Sequence, residues 1–191
     1  MRGNHDDRML LAWRNMRARH AAPPAGAPAS ASRHADDKHR ALARQFSEQQ
    51  IRWLQACPVV LRVGPVPAMG EVVIVHAGLV PGVPLERQDP FMAMNMRSID
   101  LYTRVPTEDR SGVPWERVWN RWQKRVPEGE RVTVVYGHDS KRGLNVKKYS
   151  KGLDSGCVNG DRLTALVVEG GGRQGYVSVQ RRKKGKKGKK E

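Results

Sequence analysis

Cysteine is nearly absent from this chain: Cys57 and Cys157 are its two instances in 191 residues. Two thiols cannot build a disulfide framework. Reduced cysteines in an intracellular protein are the expectation, with a single Cys57–Cys157 bridge left open by spacing. Aromatic residues are also scarce, at 6%, and hydrophobic residues make up 38%, which describes a modest core. No stretch approaches 18 consecutive apolar residues, and Met1 is followed by Arg2 and Gly3 rather than an apolar run. Neither a transmembrane helix nor a signal peptide is therefore read from this chain. Cytoplasmic placement is expected, with vacuolar and nuclear addresses open.

Acidic residues are the other shortage, 19 against 35 lysines and arginines, for a net charge of +16. The excess is uneven. Arg181 to Glu191 holds eight basic residues and one acid, so that tail supplies +7 and the remaining 180 residues +9. Such a tail is too charged to fold. It could make non-specific polyanion contact by counterion release, act as an address, or simply solubilise the chain. Without interleaved aromatics it carries no sequence readout.

The length suits one domain over 1–180. A helix is predicted from Asp7 to about Arg19, on the spacing of Met9, Leu10, Trp13 and Met16. Residues 20–37 turn to Ala, Pro, Ser and Gly and read as a disordered insertion. Helices follow at Asp37–Gln45 and Glu48–Gln55, the latter opened by a Ser47/Gln50 capping box. Strands are expected at Val59–Val63 and Val72–Val75 as a hairpin, then at Val132–Tyr136, Leu144–Val146, Leu163–Val168 and Tyr176–Val179. A short helix or turn is expected at Met94–Arg97. Trp115–Val126 reads as a helix with Trp115, Val118, Trp119 and Trp122 on one core-facing side; a base-stacking platform is the other reading of those tryptophans.

Three short strings carry chemistry: Gly3-Asn4-His5-Asp6, Val75-His76-Ala77-Gly78-Leu79 and Tyr136-Gly137-His138-Asp139-Ser140. Each places a donor at a turn near a strand end, where a ligand is held rigidly yet open to substrate. An amide carbonyl and two imidazoles suit a borderline divalent ion such as Mn²⁺, Fe²⁺ or Zn²⁺. His5, adjacent to Asn4 but pointing elsewhere, has the near-neutral pKa that protonation of a leaving oxygen requires. Gly, Asn and Asp are equally turn formers, so the first string also reads as a helix cap. Arg97, in Asn95-Met96-Arg97-Ser98, carries a guanidinium, a group able to clamp two oxygens of an anion at once. A solvated surface arginine is its plainer reading.

The order and wording of these strings resemble the calcineurin-like metallophosphoesterases, in the PPP-type branch that includes the ApaH-like phosphatases; the fungal endopolyphosphatase side reads nearest. The segment from His76 to Pro90 is the most specific match. Gly137–Ser140, Gly152–Val158 and Leu163–Ala165 are similar to the C-terminal region, although Asn159-Gly160 departs from the usual Tyr-Gly or Trp-Gly. The resemblance spans roughly residues 2–19 and 47–170. It implies an α/β fold, a calcineurin-like β-sandwich with flanking helices, and Asn4, His76 and His138 as ligands of one ion. It further implies His5 as general acid, Arg97 on phosphate, and direct attack on phosphorus by a metal-bound hydroxide. Phosphorylated small molecules, dinucleoside polyphosphates and polyphosphate are the implied substrates.

Two earlier motifs of that family, an Asp-x-His pair and a bridging Asp, have no counterpart in these residues. The fold is therefore expected to be partial, lacking its first βαβ portion, and one of the two family ions is left without ligands. Two-metal chemistry needs ions about 3.5–4 Å apart. The expectation is a metal-dependent phosphohydrolase present as an incomplete copy; the alternative is a catalytically inactive phosphatase-like protein that binds polyanions.

Overall fold

The computed structural model describes residues 1–18 and 33–180. The tail at 181–191 and most of the Ala/Pro stretch lie outside the described residues. Two compact units divide at Val59 and Val60.

The first unit is helical: α1 (Asn4–Ala18), α2 (Arg33–Ala43) and α3 (Glu48–Ala56). Met9 and Leu10 of α1, Ala43 and Ile51 form its buried centre, with Trp13, Met16, Phe46 and Leu54 packed around it. The stripe read from sequence is thus the buried one. α1 begins three residues earlier than expected, because Gly3 closes the first turn: its carbonyl accepts from Asp7 N at 3.0 Å, and its N–H donates to Asp6 Oδ2 at 2.9 Å. α2 also begins early, at Arg33 rather than Asp37. No proline follows Pro28 there, and Ala, Asp, Lys and Arg tolerate a helix. The capping box of α3 is present in both directions, Gln50 N to Ser47 Oγ at 3.2 Å and Ser47 N to Gln50 Oε1 at 2.8 Å.

The second unit is built on a mixed five-stranded sheet. Its order is β1 (Val60–Val66), β2 (Gly70–Val75), β6 (Val132–Tyr136), β8 (Ser150–Gly152) and β7 (Asn145–Lys147). β1 and β2 form the expected antiparallel hairpin, with Val60 opposite Val75. β2, β6 and β8 run parallel, pairing Ile74 with Val135 and Tyr136 with Gly152. Their three carboxyl ends therefore share one edge of the sheet. Val73, Val75 and Val134 are fully buried there.

α5 (Trp115–Gln123) is strapped to the start of β6: Gln123 Oε1 accepts from Val132 N at 2.9 Å and Trp119 Nε1 donates to Val132 O at 3.2 Å. Trp115 and Trp119 are core residues, so they form no stacking platform. Trp122, expected beside them, is 43% exposed, and its ring lies over the Gly82 turn. Nine residues of helix bring the first two tryptophans onto the sheet and turn the third outward. α4 (Pro90–Asn95) precedes a three-stranded patch of β4 (Pro106–Thr107), β3 (Ser98–Ile99) and β5 (Val113–Pro114). β9 (Arg162–Val168) and β10 (Gln174–Gln180) pair as a separate antiparallel ribbon. No described helix is long and apolar enough to cross a membrane. Cys57 and Cys157 both keep thiols.

Candidate phosphate and metal site

His76 follows β2 and His138 follows β6, and the parallel pairing of those strands brings the two imidazoles together. Their ring centroids are 5.0 Å apart, tilted by 58°, and Gly137 N donates to His76 O at 2.9 Å. The long string after His76 acts locally. Gln88 clamps the turn, accepting from Val80 N and donating to Val80 O and Val83 O, each at 2.9 Å. Asp89 then caps α4 through Phe91 N and Met92 N, with Pro90 at the first helical position. α4 returns to the site, because Ala77 N bonds Ala93 O at 2.9 Å. Gly78 must lack a side chain: a Cβ there would meet the Trp115 ring at 2.6 Å.

α4 also orients His138. The His138 Nε2 atom lies 3.1 Å from the carbonyl of buried Asn95. A carbonyl can only accept, so Nε2 carries the proton and the lone pair is on Nδ1. A metal-binding histidine is characteristically arranged in this way, its second nitrogen held by a backbone carbonyl or carboxylate. His138 has a φ of 71°, a left-handed conformation uncommon for a side chain of this size. Burial lowers its pKa, with help from Arg97 and His76, to about 4. The ring is neutral at pH 7 and its Nδ1 is available without losing a proton.

Because the folded pKa lies below the unfolded value of about 6.5, His138 contributes stability in full above pH 6.5 and loses it as pH falls toward 4. Each pKa unit is worth about 1.4 kcal/mol, and its partly solvent-facing position trims the total to about 1–2 kcal/mol. Urea melts in metal-free buffer are expected to show this loss between pH 6.5 and 4, and His138→Gln to flatten it.

Beside His138, Asp139 is buried and gathers arginines. Arg110 Nε donates to Asp139 Oδ1 at 3.1 Å and its Nη2 makes a second, shorter contact; Arg142 Nε donates to Oδ2 at 2.5 Å; Arg97 Nε stands 4.0 Å from Oδ1. Burial pushes the Asp139 carboxyl up, but hydrogen bonds and charge from Arg110 and Arg142 outweigh it and hold the group below the usual carboxylate range. The turn carrying Arg97 and Arg110 is tied by Ser98, whose Oγ lies 2.7 Å from Thr107 Oγ1, donates to Asp109 O at 2.9 Å and accepts from Gly112 N at 3.2 Å. A Cβ on Gly112 would stand 2.6 Å from Ile99 O. Arg97 Nη1 donates to Glu108 O at 2.6 Å. Exposure rises outward, from 8% for the Asp139 side chain through 19% and 24% for Arg142 and Arg97 to 39% for Arg110. The carboxylate anchors the guanidinia from beneath, with Arg110 the most open of the three to solvent, an arrangement suited to a phosphate.

His76, Arg97 and His138 are thus in one unit and near one another. Arg110 and Arg142 are functional candidates that sequence reasoning missed. Asp154 and Cys157 follow β8 at the same edge, and Asp154 Oδ1 accepts from Gly156 N at 3.1 Å, as a turn residue does. Asn4 and His5 belong to the first unit. Asn4 is buried as the first residue of α1. His5 Nδ1 lies 3.3 Å from Nε2 of His39 on α2, the rings stacked at 5.5 Å. Burial lowers the His5 pKa, followed by the charges of His39 and Arg8.

Two imidazoles fit a first-row divalent ion but do not complete its coordination. Among the described residues no group of three or more His, Cys, Asp or Glu side chains is placed to hold one.

In open α/β sheets ligands are bound outside the carboxyl ends of the parallel strands, and His76 and His138 follow the carboxyl ends of β2 and β6. No protein-family model matches the chain. It is 27% identical over 140 residues to the zinc-dependent endopolyphosphatase of Saccharomyces cerevisiae, covering 69% of this chain and 42% of that protein. It is also similar to a crystal structure of a protein assigned as a diadenosine tetraphosphatase. There the TM-score is 0.64 at 30% identity, over 92% of this chain and 66% of that one. The chain therefore spans less than half of the curated relative and just under two thirds of the solved one. These likenesses support a metallophosphoesterase of the ApaH-like branch, with the calcineurin-like α/β fold of the diadenosine tetraphosphatase.

Proposed function

We propose that this chain carries the phosphate-binding part, and a portion of the metal centre, of a divalent-metal-dependent phosphohydrolase. Its substrates would be phosphoanhydrides of the kind named in its relatives: polyphosphate or a dinucleoside tetraphosphate. The observation that carries this reading is the neighbourhood of the His76–His138 pair and the arginines gathered on Asp139. His76 and His138 Nδ1 are the proposed ligands, with zinc the first candidate by the relative's name. When bound, the ion would supply Lewis-acid polarisation of a phosphoryl oxygen and activation of water.

The chain's own residues bind and hold. Arg110 and Arg97 take non-bridging phosphate oxygens and stabilise the charge that grows on them. Asp139 prevents the guanidinia from repelling one another before substrate arrives. Neutral His138 avoids adding a competing proton to the site. The test is phosphate release from polyphosphate and diadenosine tetraphosphate, with and without Zn²⁺ or Mn²⁺. Metal-dependent release that falls at least 100-fold in His138→Ala and Arg110→Ala is expected.

One observation favours a second reading, phosphate binding without hydrolysis: no described cluster offers three ionisable metal ligands. Phosphate binding that depends on Arg110, with no metal-dependent release, would select it.

A further inference from the structure

Beneath the arginines lies a carboxylate that the proposed chemistry does not use. Glu116, in the first turn of α5, is 2% exposed. Its Oε1 accepts from Asn145 Nδ2 at 3.1 Å and from Arg142 Nη1 at 3.5 Å, while Oε2 is buried with no hydrogen-bond partner. Burying an ionised carboxylate costs several kcal/mol unless its partners compensate. A helix that wanted only packing here would be better served by an apolar residue.

The position of Glu116 is informative. Arg142 is shared three ways: Nε to Asp139 Oδ2 at 2.5 Å, Nη1 to Glu116, and Nη2 to Arg97 O at 3.3 Å. The last contact reaches the backbone of another arginine of the cluster. Asn145, the second partner of Glu116, also donates to Tyr136 Oη at 3.1 Å, at the end of the strand leading to His138. The negative charge of Glu116 is felt there, since after burial it is the largest influence raising the Tyr136 pKa. Three guanidinia face two carboxylates in this assembly, leaving one net positive charge for a ligand to meet.

We infer that Glu116 is a positioning residue of the phosphate site: its buried carboxylate fixes Arg142, and through Arg142 the orientation of Asp139, Arg97 and Arg110. This rests on the phosphate-binding reading above. Without Glu116, Arg142 can swing about its Asp139 contact, and the carboxylate serving Arg110 is no longer held in one place. Affinity for phosphate should then fall although no residue touching phosphate has changed.

The experiment is a titration of the full chain, labelled with ¹⁵N-histidine, with inorganic phosphate in 0.15 M salt. It is followed at the ring signals of His138, so that phosphate on the basic tail does not register. Wild type should saturate, and Arg110→Lys should weaken binding. Glu116→Gln, folded by circular dichroism and cooperative melting, should bind about tenfold more weakly. Combined with Arg142→Lys it should lose less than the product of the two single effects, because both act through one contact. Glu116→Asp should recover part of the loss. A folded Glu116→Gln that binds phosphate as wild type does, or effects that multiply independently with Arg142→Lys, would overturn the inference and leave the phosphate site standing. A wild-type chain whose His138 signals ignore phosphate would overturn both.

Discussion

Asp139→Ala is expected to destabilise the second unit by about 3–5 kcal/mol, the range for removing one partner of a buried ion pair. Three guanidinia depend on this carboxylate, and it is almost wholly buried. Its removal leaves Arg142 with Glu116 as its one acidic partner and sets Arg97 and Arg110 against each other across the vacated space. Chemical denaturation should show a lower midpoint with an unchanged slope. Asp139→Asn, which keeps the shape and removes the charge, should recover little. If both variants melt within 1 kcal/mol of wild type, the arginines are being held by solvent rather than by Asp139. The pH dependence has a definite sign. Because Arg110 and Arg142 hold the folded carboxyl below its unfolded value of about 3.9, its contribution is complete above that pH and disappears as pH falls through the folded value. Acid unfolding should therefore have two stages, His138 losing its contribution first, between 6.5 and 4, and Asp139 below that.

Asp139 also marks where the sequence was readable. β2 and β6 were legible because each is a short run rich in β-branched residues, followed by His76-Ala77-Gly78 in one case and Gly137 in the other, and buried strands look like that. Their parallel pairing makes neighbours of His76 and His138, and the spacing of 62 residues conceals this. β8 offered no signal, since Ser150-Lys151-Gly152 has neither alternation nor β-branched residues. The patch of β3, β4 and β5 is made of two-residue strands held by Ser98 and Asp109, below the length at which periodicity exists. Arg110 and Arg142 were hidden by composition: among 35 basic residues one arginine looks like another. A local hint was present in Asp139, three residues before Arg142, but Arg110 reaches Asp139 from 29 residues away. His5 shows the same limit, since its neighbour His39 lies on another helix, beyond the low-complexity stretch.

Zn²⁺ or Mn²⁺ at 100 times its dissociation constant should raise stability by about 2.7 kcal/mol. For a chain of this size that corresponds to about 5–10 °C in melting temperature. The ring arrangement gives this expectation its residue specificity. His138 presents Nδ1 because Nε2 is committed to the Asn95 carbonyl, and His76 lies beside it at a centroid distance of 5.0 Å. His76→Ala and His138→Ala should each remove the metal-induced shift, while Arg110→Lys should leave it intact and lose phosphate instead. The two functions of the site would then be separable, one carried by imidazoles and the other by guanidinia. A shift retained in both histidine variants would place the ion elsewhere. No shift in wild type would mean that two imidazoles do not suffice, and that these residues hold phosphate without holding a metal. At pH 7 binding should release no proton from His138, whose ring is already neutral there. The neutrality that makes the histidine a ready ligand comes from its burial beside Arg97, the same cation that would meet the phosphate.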